Sequence, residues 1–390
     1  MNKKISLLIT LGIVCTVFAS ACGVTAPAEK TEAESDTSSK TSESATQKTD
    51  NDSTEELPET LTTTAEGEDI EPQETEDASE PAVTEASGEV PDSHRFYGEN
   101  GILTIGRNGH YFGLMGCWGT FDNCDEYISA VNKFAEKLSG VKVYSMVVPT
   151  SSEFYVPDDV TGFTASQSEK INYIADGLSG VTNIDALGAL SKHTEEYIYS
   201  RTDHHWQPLG AYYAAQQFSK TAGFEFPALS KYKEVSCGGY VGSLYGYSND
   251  INLNNDPDTF TMFISPNDDK LDTTYYSTSF TNGTAGDLFV ARNASAYYCS
   301  FLGADNLIAK IETGADTGRT LVIFKESYGN GLVPFLTSGF DTIYVCDVRY
   351  FDLNGVQFCK DVGATDLLFA TCTYTPAGPN CSYIPALLTQ

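Results

Sequence analysis

The feature that most constrains the fold is an abrupt break in composition. Between Gly23 and Asp92 there is no Phe, Tyr or Trp, and the chain is built from Thr, Ser, Glu, Ala, Asp and Pro. Every Tyr and Trp, and every Phe except Phe18, lies beyond that stretch. A segment without large apolar side chains cannot bury enough surface to offset the entropy of ordering it, so residues 22–92 are expected to be a disordered linker. Self-repulsion among its 21 acids, set against 3 lysines, stretches it. At ~3.3 Å per residue it could reach roughly 230 Å, the length of a stalk. The same break divides the formal charge of −30: −18 belongs to Gly23–Asp92, −14 to residues 93–390, and Lys3 and Lys4 add +2. No basic cluster exists to bind phosphate, which excludes a nucleic-acid protein working through a basic surface and a polybasic lipid-docking patch.

Ahead of the linker, Lys3 and Lys4 precede an apolar run from Ile5 to Phe18 and then Ala19-Ser20-Ala21-Cys22. A basic start, a short apolar stretch and small residues before a cleavage site describe a secretory signal over 1–21, too short to be a comfortable membrane span. The four residues ending in Cys22 resemble the bacterial lipoprotein lipobox. That resemblance implies lipidation of Cys22, export, and anchoring to the cell membrane with the rest of the chain outside the cytoplasm.

Residues 93–390 are enough for one large domain with a sizeable core. Phe96–Phe112 reads as short apolar strands with Gly-rich turns. Glu126–Leu138, Ser166–Leu178 and Pro208–Thr221 read as helices, the last with proline where a missing N–H costs little. Val141–Pro149, Thr320–Phe324, Thr342–Cys346 and Asp366–Ala370 read as buried strands. Alternation of this kind predicts an α/β fold, a mostly parallel sheet with helices on both faces. Between about 238 and 309 the pattern gives way to Tyr, Thr, Asn and Ser, expected to be a β-rich or irregular insertion. Its tyrosines Tyr240, Tyr245, Tyr247, Tyr275 and Tyr276 offer faces for sugar rings, although tyrosine is common in exported domains. Eight cysteines, Cys117 to Cys381, are compatible with disulfides in any of 105 pairings, and no C-x-x-C spacing marks a zinc site.

The densest polar signal is Asp203-His204-His205-Trp206, on the approach to the helix that starts near Pro208. On an extended backbone side chains alternate, so Asp203 can orient His205 while His204 points elsewhere. An oriented imidazole is a general base in search of a nucleophile. Ser327, directly after the strand Thr320–Phe324, is the candidate: a serine on a sharp strand-to-helix turn exposes its hydroxyl at the carboxyl edge of a sheet. Around it, Tyr328, Gly329, Asn330 and Arg349 are oxyanion or substrate candidates, as are Thr150 and Ser151 after the strand Val141–Pro149. Each has a plainer role. Asp203 and His205 could cap the following helix, or join His204 on a metal. Ser327 could be a helix N-cap, and Arg349 a surface ion-pair partner. No metal or other cofactor is expected.

TDHHW followed by QPLGAYYA, with KESYGN, VPFL and DVRYF later, resembles the signature of the DHHW family of bacterial exported proteins. That family is similar to alginate O-acetylation accessory proteins within the SGNH hydrolase-like superfamily. The resemblance implies a three-layer α/β/α fold and a Ser327–His205–Asp203 triad that moves or removes acetyl groups on cell-surface polysaccharide or another acylated glycan. It also implies a membrane-bound protein as a source of acyl groups. The serine motif is E-S-Y rather than G-D-S, with Glu326 where an Asp is usual. A catalytically inactive glycan-binding or scaffold lipoprotein of the same fold is the alternative.

Overall fold

A computed structural model describes residues 90–390. The expected leader, Cys22 and all but the last residues of the 22–92 linker lie outside them. Strands β1 (Arg95–Tyr97), β2 (Ile102–Arg107) and β3 (His110–Met115) form a small antiparallel sheet. Next come β4 (Lys142–Val148) and β5 (Val181–Asn183), then a separate antiparallel pair, β6 (Lys233–Tyr240) and β7 (Asp258–Ile264). The remaining strands are β8 (Asp272–Tyr276), β9 (Thr284–Gly286), β10 (Ile308–Glu312), β11 (Thr320–Lys325), β12 (Thr342–Asp347) and β13 (Asp366–Cys372).

The main sheet has the order β5-β4-β13-β11-β12-β10-β8-β9. It is parallel from β5 to β12 and antiparallel beyond. Alternation along the central strands feeds two cores. Leu321 and Ile323, Ile343 and Val345, and Leu368 and Ala370 enter one, covered by the helix Pro208–Ala222. Val322 and Phe324, Tyr344 and Cys346, and Leu367 and Phe369 enter the other, covered by the helices Phe121–Lys137 and Gly355–Asp361. The fold is therefore the expected three-layer α/β/α arrangement, in which strands buried on both faces read as continuous apolar runs.

Helix ends follow local chemistry. The first long helix begins at Phe121, five residues before its expected start, because the Thr120 side chain caps the Asn123 N–H. The helix from Pro208 ends at Gly223 in the left-handed conformation. Within 238–309 the chain combines short strands with irregular segments. β8 and β9 extend the main sheet through β10, and β6–β7 pack beside it with Phe260 and Phe263 in the core. The short polar strands there carried too weak a periodicity to be assigned to the sheet. Cys117, Cys124, Cys237, Cys299, Cys346, Cys359, Cys372 and Cys381 are all free thiols.

Candidate active site

From β11 the chain passes to β12 on one side and then returns as β13 on the other. Open α/β sheets place ligand crevices at the carboxyl ends of strands where the order reverses in this way. Ser327 lies there, first residue of a run of 3₁₀ turns, Ser327–Phe335. The cap of that run is not the serine but Glu326. One of its carboxylate oxygens accepts from the Tyr328 N–H (3.0 Å) and the other from the Cys372 N–H at the end of β13 (2.6 Å). Glu326 thus ties the turn to the neighbouring strand and leaves the serine hydroxyl free for other work. Gly329 is needed for close approach: a Cβ there would lie 2.5 Å from Lys325 Cβ.

His205 Nε2 lies 2.8 Å from Ser327 Oγ, and its Nδ1 lies 2.6 Å from Asp203 Oδ1. The carboxylate fixes the tautomer. Nδ1–H donates to Asp203, so Nε2 accepts from the serine hydroxyl. Asp203 Oδ1 also accepts from the His205 N–H (3.0 Å), and Oδ2 from the Ser243 N–H (2.8 Å). Burial opposes the charge of Asp203, but His205, His204 and these hydrogen bonds outweigh it and hold the carboxyl well below its usual range. The Ser243 contact needs Gly242, where a Cβ would fall 2.3 Å from Asp203 Cβ.

The loop carrying Asp203 is held from below by Asp258, the first residue of β7. Its Oδ2 accepts from the Arg201 N–H, the Thr202 N–H and the Thr202 hydroxyl at 3.0, 2.8 and 2.7 Å. Tyr298 stacks on the His205 ring, centroids 3.8 Å apart and planes 9° from parallel. Its hydroxyl accepts from Trp206 Nε1 (3.2 Å) and donates to the Tyr328 carbonyl (2.9 Å). Trp206, fully buried, also donates to that carbonyl at 3.0 Å. It is a packing residue behind the histidine, as its place in the motif suggests. Sequence reasoning missed Asp258, Ser243, Gly242 and Tyr298. All four lie in the stretch from 238 to 309, where no local pattern announces a contact with residues 203–205.

His204 does not point away from His205 as expected: residues 201–205 form bends rather than extended backbone, and the two rings lie side by side with centroids 3.8 Å apart. The His204 Nδ1 meets Ser243 Oγ at 2.5 Å. Burial, reinforced by His205, pushes the His204 pKa down to about 3, so its ring is neutral near pH 7. Ligand atoms of Asp203, His204 and His205 lie within 4.8 Å of one another. Among them the Nδ1–H of His205 is already given to the carboxylate and the Nε2 to Ser327.

The surrounding candidates divide. The Tyr328 N–H is taken by Glu326 and the Gly329 N–H by the Glu326 carbonyl (2.9 Å), so neither is a ready oxyanion donor. The Ser327 N–H has no hydrogen-bond partner among the described residues. Asn330 donates to Asp305 at 2.9 Å. Arg349 belongs to a buried, charge-balanced cluster: Arg349 and Lys325 each contact both Asp305 and Asp347 at 2.7–2.9 Å. Thr150 and Ser151 line neither cleft at Ser327. The Thr150 N–H donates to Gln167 and its hydroxyl meets Ser152, a network that closes the end of β4. Tyr240 is core, and none of Tyr240, Tyr245, Tyr247, Tyr275 and Tyr276 lines either cleft. Cys372 is beside the serine, but burial and the nearby Glu326 push its thiol well above the usual range. A larger cavity of about 400 Å³ lies elsewhere, between Arg107, Tyr155, Tyr197 and Arg201, and does not include Ser327 or His205.

The family model described as DHHW protein matches residues 114–346, a span containing Asp203–Trp206 and Ser327. The crystal structure of a DHHW family protein from Eubacterium siraeum is 43% identical, covering 75% of this chain and 98% of that one with a TM-score of 0.70. Bacillus cereus PatB1 with a sulfonyl adduct shares the fold at 17% identity, covering 72% of this chain and 98% of its own, TM-score 0.60. The O-acetyltransferase domain of Pseudomonas putida AlgJ matches at 14% identity over 75% of this chain and 98% of its own, TM-score 0.41. No curated protein matches by sequence. The family match and the 43% identical structure together show that this chain belongs to the DHHW family.

Proposed function

We propose that this chain is an exported acyl-ester enzyme, an O-acetyltransferase or acetylesterase acting on cell-surface polysaccharide, with Ser327 as nucleophile, His205 as general base and Asp203 as its orienting acid. The observation that carries the reading is the continuous pair of contacts, Ser327 Oγ to His205 Nε2 at 2.8 Å and His205 Nδ1 to Asp203 at 2.6 Å. Hydrogen-bond reach between nucleophile and base, with the base held by a third group, is what activates a serine that is otherwise a weak nucleophile. Ser327 attacks the acetyl carbonyl as His205 takes its proton. Buried Asp203 stabilises the imidazolium, and the uncommitted Ser327 N–H faces the developing oxyanion. Tyr298 and Asp258 hold the histidine and its loop in place. The acetyl group and the glycan come from the family resemblance. Lipid on Cys22 and the acidic stalk would keep the domain at the cell surface, near a membrane-bound source of acyl groups.

Labelling with a fluorophosphonate tests this. The full-length chain is expected to label at Ser327, and Ser327→Ala to abolish both labelling and release of nitrophenol from p-nitrophenyl acetate. A folded protein that does not label, or a Ser327→Ala variant that labels equally, would leave the scaffold reading in its place.

A further inference from the structure

Ser327 stands between two clefts. The first, about 170 Å³, is walled by Tyr350, Tyr374, Thr375, Asn380 and Tyr383. The second, about 310 Å³, is walled by Arg292, Tyr298, Cys299, Phe301 and Asn330. Ser327 lines both. Beneath it the two are separated by an ion pair: Asp305 faces the second cleft, Arg349 the first, and they meet at 2.9 Å. Each cleft also holds a buried polar atom with no partner among the described residues, Thr375 Oγ1 in the first and Asn330 Oδ1 in the second. Buried polar atoms are seldom left unpaired, so each signals a ligand or an ordered water.

The walls differ in chemistry. The first cleft offers three phenol rings, an amide and a hydroxyl. Neither the Asn380 amide nor the Tyr383 hydroxyl has a protein partner among the described residues. Of the charged groups there, Arg349 is balanced by Asp305 and Asp347, and both carboxylate oxygens of Glu326 are engaged by backbone N–H groups. Flat rings beside uncommitted hydroxyl and amide groups match a neutral sugar, whose C–H faces stack on aromatics and whose hydroxyls both donate and accept. The second cleft has carbon walls at Phe301, Ala296 and Ala304, and its unpaired atom, Asn330 Oδ1, only accepts. It also contains Tyr298, stacked on the histidine that must protonate a departing group.

Building on the acyl-ester reading above, we infer that the two clefts are separate sites of a two-step transfer. The neutral glycan acceptor occupies the cleft of Tyr350, Asn380 and Tyr383. The acyl donor, an ester or thioester whose carrier brings an N–H or O–H to Asn330, occupies the cleft of Phe301 and Tyr298. In the first step Ser327 Oγ bonds to the acyl carbon, the bond to the carrier breaks, and the serine proton passes through His205 to the carrier. In the second a sugar hydroxyl oxygen bonds to that carbon, its proton goes to His205, and the acyl–Ser327 bond breaks as Oγ recovers a proton. No redox partner is needed.

The two steps are separable by experiment because the acyl-enzyme partitions between sugar and water whatever its rate of formation. The full-length chain is given p-nitrophenyl acetate together with xylopentaose, mannopentaose and cellopentaose, and the ratio of acetylated sugar to free acetate is read by mass spectrometry. Tyr383→Ala and Asn380→Ala are expected to lower the ratio about tenfold, the effect of one stack or hydrogen bond. Tyr383→Phe keeps most of it. Phe301→Ala slows the nitrophenol burst without moving the ratio. The assignment is overturned if Tyr383→Ala and Asn380→Ala leave the ratio alone, if Phe301→Ala shifts it, or if no sugar of the panel is acetylated while the burst persists. An unaltered chain that releases no nitrophenol overturns the acyl-ester reading itself, and the cleft assignment with it.

Discussion

Single groups at this site are set by their neighbours more than by their own chemistry. Asp203 is short enough to bond both the ring and the backbone N–H of His205, which makes the tautomer a consequence of position. Asp203→Asn keeps the size but offers an amide that can present N–H to Nδ1, favouring the wrong tautomer. Acetyl-ester turnover is expected to fall about 10⁴-fold with folding intact, checked by nitrophenol release beside circular dichroism. A loss under tenfold would mean that His205 needs no orienting acid. His204 makes a different prediction. Its pKa, about 3 in the fold against 6.5 when exposed, means that the unfolded chain binds a proton there which the folded chain refuses. Its contribution to stability is complete above pH ~6.5 and is lost as pH falls from there toward 3. His204→Gln should therefore flatten the fall in thermal midpoint between pH 7 and pH 4.5. An unchanged slope would assign that acid sensitivity to other groups.

Strands and helices were legible where burial on two faces made the apolar runs long. Val143–Val148, Leu321–Phe324 and Leu367–Phe369 read directly as central strands, and the serine turn was placed because it follows one of them. β8 and β9 were not legible as members of the sheet. They lie toward its edge, β8 with Thr273 as its one buried residue and β9 exposed throughout, and a five-residue polar strand resembles a loop. The Asp203–His205 pairing was legible because the two residues are near neighbours in sequence, although a bend rather than an alternating strand brings them together. The partners from 242 to 305 were not, since a contact across 20 to 93 residues leaves no trace in spacing. The ionic cluster is the clearest case. Lys325 and Asp347 end adjacent parallel strands in register, yet Asp305, which completes the balance of charge, comes from a loop. Burial costs Lys325 its hydration, while Asp305 and Asp347 keep it charged and raise its pKa. Lys325→Met leaves two carboxylates facing Arg349 alone and is expected to cost about 3–5 kcal/mol. Adding Asp305→Asn should return part of that loss, measured by urea unfolding. If the double variant were weaker than the single by the full cost of a second deletion, the cluster would not be acting as a unit.

Across the whole molecule, the site exists only while one sheet holds together two pieces of chain 122 residues apart. His205 is delivered by the loop before the helix Pro208–Ala222, which packs on one face of the sheet. Ser327 is delivered by β11, whose alternate residues fill both cores. Nothing local would keep the two within 2.8 Å if either layer loosened. The chain carries its own reporter of this, because it has only two tryptophans. Trp118 is 58% exposed, whereas Trp206 is fully buried and hydrogen-bonded behind the serine turn. In Trp118→Phe the remaining emission should be blue-shifted in the folded protein and red-shifted on unfolding. Because Trp206 bonds the carbonyl of the residue after Ser327, its exposure and the loss of Ser327 reactivity should follow one urea curve, with far-ultraviolet circular dichroism coincident. Reactivity that vanished at clearly lower urea than the Trp206 transition would instead mean that the Asp203–His205 loop detaches from an intact sheet. The anchor to weaken next would then be Asp258, which among the described residues ties the Arg201 and Thr202 backbone to the start of β7.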